Sequence, residues 1–486
     1  MRMTLSQLIA GDAQIPVGAE KITVDGLTAD SRAVKPRFLF VALPGTTVDG
    51  ARFIPQAIAA GAVAVVAGPG AEAPGVPLMT SDDPRRLFAR MAARFHGRQP
   101  GIVVAVTGTS GKTSVATFVR EIWTAMGFRA ASLGTVGVVS PSGTMELEHT
   151  TPDALTLQEI AARLSADRVD HLAIEASSHG LDQRRLDGLR IAAAGFTNLS
   201  HDHLDYHANL EDYFDAKMRL FEVLLAPGAA AVINVDSERG VEAARRARAR
   251  GLDVWTVGEA GEAIRIMSVA RETSGQHAAI EITGRIHTVD LPLVGDFQVS
   301  NALIAAGLVL STGGDEKLVL HALQSLKGAK GRLEFAGRTK AGASVFIDYA
   351  HKPDALENAL SSLRPYTQNR LHVVFGCGGD RDRAKRPIMG EIATRLADKV
   401  YVTDDNPRTE DPASIRAAIM AAAPGAIEIG SRAAAIRTAV AALDAGDVLI
   451  VAGKGHEEGQ KTGKQILPFS DHEAVKAAIE GRDYHG

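Results

Sequence analysis

Ile102-Val103-Val104-Ala105-Val106-Thr107-Gly108-Thr109-Ser110-Gly111-Lys112-Thr113-Ser114 is the stretch on which the architecture turns. An apolar run of strand length empties into a glycine-rich turn, and helical spacing follows over 114–126. Small residues in such a turn let backbone N–H groups close around phosphate oxygens, and the helix N-terminus adds positive potential. Lys112 would then reach the β/γ-phosphates, and the Thr113 hydroxyl would sit on Mg²⁺. The general form of this loop has a glycine where Val106 stands, so only the shorter Gly-x-x-Gly-Lys-Thr pattern is met. A structural glycine turn is the competing reading; the strand before and the helix after favour phosphate.

Composition narrows the class. The 486 residues carry 53 Lys+Arg against 57 Asp+Glu, a formal net charge of −4. No global field draws nucleic acid or an anionic membrane. With 45% hydrophobic residues there is core enough for about three domains. The single cysteine, Cys377, excludes an internal disulfide and a multi-cysteine metal site, and it fits a reducing compartment. Residues 1–18 lack a basic-then-apolar leader pattern. The longest mainly apolar stretch, near 57–68, carries glycines and is too short to span a bilayer. The expectation is a cytoplasmic, soluble protein with no nucleic-acid or membrane partner.

Short apolar runs alternate with helix-period segments almost throughout, which predicts an α/β fold. In a first block, 38–43 and 62–67 read as strands around a helix over 53–60, and His96-Gly97-Arg98-Gln99-Pro100 reads as a linker. A second block, opened by the phosphate-loop strand, has strands expected at 171–175, 195–198 and 230–235. A peripheral hairpin is expected around Gly284-Arg285, then a helix over 299–310, and the block ends near Lys330. The third has runs at 345–347, 371–375, 399–403 and 448–452. Each of those runs ends in a polar loop, and ligands of open α/β sheets bind beyond the carboxyl ends of strands.

Several clusters carry chemistry. Glu175 closes the run from His171 and precedes Ala176-Ser177-Ser178-His179-Gly180. An acid at a strand end near a phosphate loop is where a Mg²⁺-binding carboxylate belongs; the alternative is a solvated loop acid. Asn198-Leu199-Ser200-His201-Asp202-His203-Leu204-Asp205-Tyr206-His207 is the densest set of ligand-type side chains. It reads as a Zn²⁺ site, as surface or capping histidines, or as a Mg²⁺/phosphate site admitting one imidazole, and the residues alone do not choose. Lys217 lies in Asp212-Tyr213-Phe214-Asp215-Ala216-Lys217-Met218-Arg219, whose pattern favours an amphipathic helix with exposed charges. Four loops close the series: Asp348-Tyr349-Ala350-His351, Gly376 to Asp382, Asp404-Asp405-Asn406-Pro407-Arg408 and Gly453-Lys454-Gly455-His456-Glu457. Any one of them reads as ordinary turn chemistry. Together, their Arg and Asn donors suit a carboxylate and their acids suit an amine, which suggests an amino-acid pocket. Cys377 has no obvious base and reads as buried and inert.

Taken in order over essentially the whole chain, these motifs resemble those of the Mur ligases. Asp30-Ser31-Arg32, Phe40 to Gly45, Thr150-Thr151-Pro152 and Gly331-Arg332-Leu333-Glu334 complete the series. Two residues depart from it: Arg37 stands where a glycine is usual, and Arg52 where a histidine is common. The resemblance implies three α/β domains: 1–98 for the UDP-MurNAc end, 99–330 a central P-loop ATP domain with mainly parallel sheet, and 331–486 a Rossmann-like domain for an incoming amino acid. It implies that Gly108, Thr109, Ser110, Gly111, Lys112, Thr113 and Ser114 meet the ATP phosphates, and that Asn301, Arg332 and Asp348 meet the nucleotide. Ser31 would contact the uridine nucleotide, and Thr150, Thr151, Ser177, Gln183 and Arg185 the sugar-peptide. Thr113 and Glu175 would hold one Mg²⁺ and His203 a second. Lys217 matches a position carbamylated in this family, where the carbamate is a Mg²⁺ ligand; this reverses the exposed-charge reading. Lys112, Glu175, His203 and Lys217 form the implied catalytic set.

Asp405-Asn406-Pro407-Arg408 matches the signature of members that add meso-diaminopimelate rather than lysine, and Arg381, Gly453 and Glu457 match further positions around that amino acid. The implied partners are UDP-N-acetylmuramoyl-L-alanyl-D-glutamate, meso-diaminopimelate and ATP, joined through an acyl phosphate. A lysine-adding relative, a folylpolyglutamate synthetase and a nucleotide switch are the rival readings.

Overall fold

The computed structural model describes residues 2–484 except 46–47, 201, 203–205 and 273–274. Its contacts divide the chain into two compact units, 1–256 with 307–315, and 257–306 with 316–486.

In the first unit, strands Gly26–Thr28, Phe38–Val41, Ala64–Ala67 and Leu78–Thr80 form a parallel sheet in that order. Helix Pro84–His96 covers it with Leu87, Phe88, Met91 and Phe95. Asp83 caps that helix, Pro84 opens it, and Gly97 closes it in the left-handed region. Arg37, at the position where glycine is usual, adopts φ +67°. This conformation costs roughly 1–2 kcal/mol for a residue with a Cβ. Its guanidinium bonds Asp25 Oδ2 at 3.0 Å, and its main chain bonds Asp25 and Gly61.

Strand Ile102–Thr107 lies inside a larger sheet. His171–Glu175 runs parallel on one side and Ala193–Phe196 on the other, with Val106 opposite both Glu175 and Gly195. β-Branched residues buried on both faces make this a central strand. Strands 130–134, 137–140 and 143–145 extend the sheet beyond His171–Glu175. The strand expected at 195–198 begins two residues earlier, and Thr197-Asn198 leave it to hold the glycine loop.

The second unit contains the expected hairpin, Gly275–Ile282 against Arg285–Leu291, with a further antiparallel strand, Ile264–Glu272. That third strand is mostly exposed and has no apolar run to announce it. The other sheet of this unit has the order Glu334–Arg338, Ser344–Asp348, Val448–Ala452, Leu371–Phe375, Lys399–Val402, Ile427–Glu428, parallel except for its first strand. Its four inner strands end side by side, so their loops converge at one sheet edge. The architecture is thus α/β throughout, carried by mainly parallel sheets. Among the described residues, no helix is long and apolar enough to cross a membrane.

Beneath those loops, Arg432 and Asp471, both with fully buried side chains, pair through two bonds of 2.7 Å. Removing one partner leaves a buried charge unmatched. Asp471→Ala should therefore lower stability by ~3–5 kcal/mol, read from the denaturant midpoint of this unit. Breaking the exposed Arg437–Asp483 pair by Arg437→Ala should cost under ~1 kcal/mol.

Candidate active site

The first cluster lies wholly in the first unit. Gly108 turns the chain at φ +144°, and a Cβ there would fall 1.9 Å from Thr197 Oγ1. The loop is latched to the next strand end: Thr109 N–H donates to the Asn198 carbonyl at 2.9 Å and Ser110 N–H to Asn198 Oδ1 at 3.0 Å. Gly111, at φ +87°, caps helix Lys112–Ala125. Lys112 Nζ folds over the turn onto the carbonyls of Gly108 and Thr109, both at 2.8 Å.

Thr113 Oγ1 donates to Glu175 Oε2 at 3.0 Å. The carboxylate also accepts Thr135 N–H at 2.7 Å, and the Thr135 hydroxyl lies 3.1 Å from that of Thr150. Gly134 is bare because a Cβ would come within 2.0 Å of Glu175 Oε1. Paired hydroxyl and carboxylate oxygens are the hard donors Mg²⁺ takes, so Thr113 and Glu175 fit that ion.

Lys217 is 1% exposed. Its Nζ donates to the Gly108 carbonyl at 2.9 Å and lies 4.2 Å above the Tyr213 ring. The exposed amphipathic helix suggested by pattern alone is therefore corrected at this residue: helix Leu210–Arg219 turns Lys217 inward under the glycine loop. Burial, then repulsion from Lys112, pulls its ammonium well below the usual lysine range. A protonated amine cannot ligate a metal; a neutral one can react with carbon dioxide.

Of the histidine cluster, His201, His203 and Asp205 lie outside the described residues, and with them the expected role of His203. Asn198 and Ser200 brace the glycine loop. Tyr206 donates to Asp182 Oδ2 at 2.6 Å. Among the described residues, no three His, Cys, Asp or Glu side chains gather as a metal site.

Thr151, Ser177, Gln183 and Arg185 come together. Thr151 Oγ1 donates to the Glu175 carbonyl at 2.8 Å and accepts from Ser177 Oγ at 3.0 Å. Arg185 bonds the Thr151 carbonyl and Gln183 Oε1. Ser31 lines a separate cavity of about 830 Å³ with Thr28, Gln56, Phe88, Asp153 and Thr156.

The second cluster lies in the second unit. Asp348 is buried, accepting Leu333 N–H at 2.7 Å and Ala350 N–H at 2.8 Å. Burial pushes its carboxyl up, opposed by Arg332. Arg332 lies over the Tyr349 ring at 5.0 Å. Asn301, 4% exposed, bonds Gln298 along its own helix.

Asn406 Nδ2 donates to Glu457 Oε2 at 2.9 Å, and Asn406 Oδ1 accepts from Lys454 Nζ at 3.0 Å. Pro407 closes on Gly379, where a Cβ would meet its carbonyl oxygen at 1.9 Å. Gly453, at φ +117°, leaves room for Asp405 Oδ2, 2.6 Å from a Cβ built there. Arg408 Nη1 donates to the Gly379 carbonyl at 2.6 Å. Arg381 stands exposed in the neighbouring loop. Cys377 is buried against Met389, its thiol pushed by burial up to about 11, which disfavours the reactive thiolate.

Sequence reasoning missed Thr135, Lys454 and the hairpin Gly459–Thr462/Gln465–Pro468 beside Asn406 and Arg408. Lys454 was visible inside its motif, but nothing local marks a lysine as buried.

Comparison with known proteins adds to this geometry. Residues 23–96 match the model described as "Mur ligase family, catalytic domain", 106–309 the "Mur ligase middle domain", and 331–455 the "Mur ligase, glutamate ligase domain". A UDP-N-acetylmuramoyl-L-alanyl-D-glutamate–2,6-diaminopimelate ligase of Mesorhizobium japonicum is 57% identical, over 95% of this chain and 96% of its own. The chain belongs to the Mur ligase family. A Brucella melitensis relative bearing the same name is 54% identical over 99% of both chains. A solved structure of a ligase so named superposes with a TM-score of 0.76, at 32% identity and 99% coverage of each chain. The glycine loop, Thr113 and Glu175 have the chemistry that suits a polyphosphate, and the Asn406–Glu457 cluster has the chemistry that suits an amino acid.

The second cluster has a pH signature. Burial first, then neighbouring cations, pulls His456 down to about 4 from 6.5, so it is folded in neutral. Between those values the unfolded chain binds a proton that the folded one refuses, and stability rises with pH. The contribution is whole above 6.5 and lost as pH falls toward 4. Thermal melts of the wild type should fall over that window, and His456→Gln should flatten the fall.

Proposed function

We propose that this Mur ligase joins the γ-carboxylate of UDP-N-acetylmuramoyl-L-alanyl-D-glutamate to an amine of meso-diaminopimelate at the expense of ATP. It is an ATP-dependent acid–amino-acid ligase of peptidoglycan precursor synthesis. The observation that carries the amino-acid assignment is the Asn406–Glu457 pair beside Arg408 at one sheet edge. The acid there suits an ammonium, and the Asn406 amide N–H and the Arg408 guanidinium suit the carboxylate that lysine lacks at its side-chain end.

A carboxylate is a poor acyl donor because its leaving group would be oxide. Transfer of the γ-phosphoryl group to the carboxylate oxygen, releasing ADP, makes an acyl phosphate. The neutral amine then attacks the carbonyl carbon, and phosphate leaves. The chain's task is positioning and charge neutralisation. Lys112 and the loop N–H groups hold the phosphates. Thr151, Ser177, Gln183 and Arg185 hold the sugar-peptide, with Ser31 at the uridine end, and Asn301, Arg332 and Asp348 attend the nucleotide. Arg381, Asp405, Pro407 and Gly453 shape the amino-acid loop. Thr113 and Glu175 would hold Mg²⁺, which supplies positive charge against the triphosphate. His351, with its Nδ1 on the Tyr349 carbonyl at 2.9 Å, is the base proposed for the incoming amine. Burial pulls its imidazole below the ordinary histidine range.

Lys217 is the proposed carbamate: its neutral amine adds to carbon dioxide, forming an N–C bond and releasing one proton. The buried amine becomes an anionic carbamate suited to a second Mg²⁺, with His203 as the proposed co-ligand. Domain limits at 98 and 330, a monomeric state and a cytoplasmic location complete the reading.

The decisive assay offers the UDP-dipeptide and ATP with either meso-diaminopimelate or lysine. Product with the former and little with the latter is expected; equal or better use of lysine sinks the specificity, and nucleotide turnover without peptide product sinks the ligase. Lys217→Ala should lower kcat by about 10²–10³, with no rescue by bicarbonate; full activity rejects the carbamate. Arg408→Ala should raise the KM for the amino acid roughly tenfold or more, and unchanged kinetics remove it from the pocket.

A further inference from the structure

Lys454 is wholly buried, and lysines are almost never buried unless paired. Its ammonium has three donors. One goes to Asn406 Oδ1 at 3.0 Å and one to the Gly459 carbonyl at 2.6 Å; Glu457 Oε2 lies 3.5 Å away and Asp405 Oδ1 4.0 Å away. Nothing in the proposed chemistry uses it, and its burial keeps it from touching a substrate.

Its consequence falls on Asn406. An asparagine amide has two faces of nearly equal shape and opposite polarity, and only its partners decide which way it points. Lys454 Nζ and Lys461 N–H both donate to Oδ1, the latter at 2.9 Å. Nδ2 is thereby turned to Glu457. The same cation stands against two carboxylates, Asp405 and Glu457, that would otherwise repel each other across the loop ends. Through Gly459 it also ties down the hairpin whose Lys461 carbonyl accepts Arg408 N–H at 2.9 Å.

The geometry points to Lys454 as a positioning residue for amino-acid recognition: it sets the direction of the Asn406 amide and the place of the Glu457 carboxylate, and so presents a fixed pair of polar groups to a zwitterionic amino acid. This inference rests on the amino-acid reading of the cluster.

The test is a double-mutant cycle on the full chain, using whichever of meso-diaminopimelate or lysine the wild type joins. Failure of the diaminopimelate reading then shows in the wild type, and failure of this inference only in the variants. Lys454→Met should raise the amino-acid KM about tenfold or more and leave the KM for ATP and for the UDP-dipeptide within about twofold. In an Asn406→Ala background the same substitution should add less than about twofold, because its route is gone. Lys454→Gln, which keeps a donor without the charge, should fall between. An unchanged amino-acid KM, equal rises in all three KM values, or a full effect retained without Asn406 would overturn the proposal. So would failure of both Lys454 variants to fold, which would make the residue structural.

Discussion

The contact of Thr113 Oγ1 with Glu175 Oε2 is the constraint on which the first unit is built. It requires two strands in one register, Val106 opposite Glu175, so that the acid arrives as the glycine loop begins. It requires a bare Gly134 on the neighbouring strand, since any side chain would displace the carboxylate. It also requires Gly108, whose turn is pressed against Thr197. Each demand removes a side chain or aligns a backbone, and none adds a catalytic group. The sheet provides an oxygen pair held from both sides, and the loop brings N–H groups to the same edge.

Charge distribution separates the two clusters. Around the glycine loop, Lys112 and Lys217 both lie against main-chain carbonyls of the turn, and the second is driven toward neutrality by burial and by the first. That arrangement is unfavourable while both are cations; phosphate oxygens or conversion of Lys217 to an anion relieve it. At the second sheet edge acids and bases are interleaved: Asp405, Glu457 and Asp348 against Lys454, Arg332 and Arg408. Interleaved charge suits a ligand carrying both signs. In both sheets the charged loops follow the carboxyl ends of parallel inner strands, but the charge patterns differ.

What was legible in the chain was local. The phosphate loop, Glu175, the four polar loops and most inner strands could be read because their chemistry sits in consecutive residues. The hairpin around Gly284 showed through alternation, but its partner Ile264–Glu272 did not, being largely exposed and held by backbone pairing. Thr135 was silent because its partner, Glu175, is forty residues away and joined to it only by sheet order. Lys217 was misread from pattern for the opposite reason. Its helix is amphipathic, but the inward face holds a lysine aimed at a carbonyl, and periodicity cannot tell that from an exposed charge.

Backbone strain in the second unit points the same way as its charges. Leu333, Asp380 and Arg408 all have positive φ, at 44°, 52° and 51°, and each sits in or beside a loop of the amino-acid cluster. Such conformations cost of order 1–3 kcal/mol and persist only where surroundings hold them. At Arg408 the holder is identifiable: its N–H donates to the Lys461 carbonyl, and its carbonyl accepts Gly463 N–H at 2.6 Å. At Leu333 it is the Asp348 carboxylate, which takes the N–H at 2.7 Å. A glycine at either place would relax the turn, but at Arg408 it would also delete the guanidinium. The hairpin therefore makes an arginine tolerable at 408, where the backbone alone would select glycine.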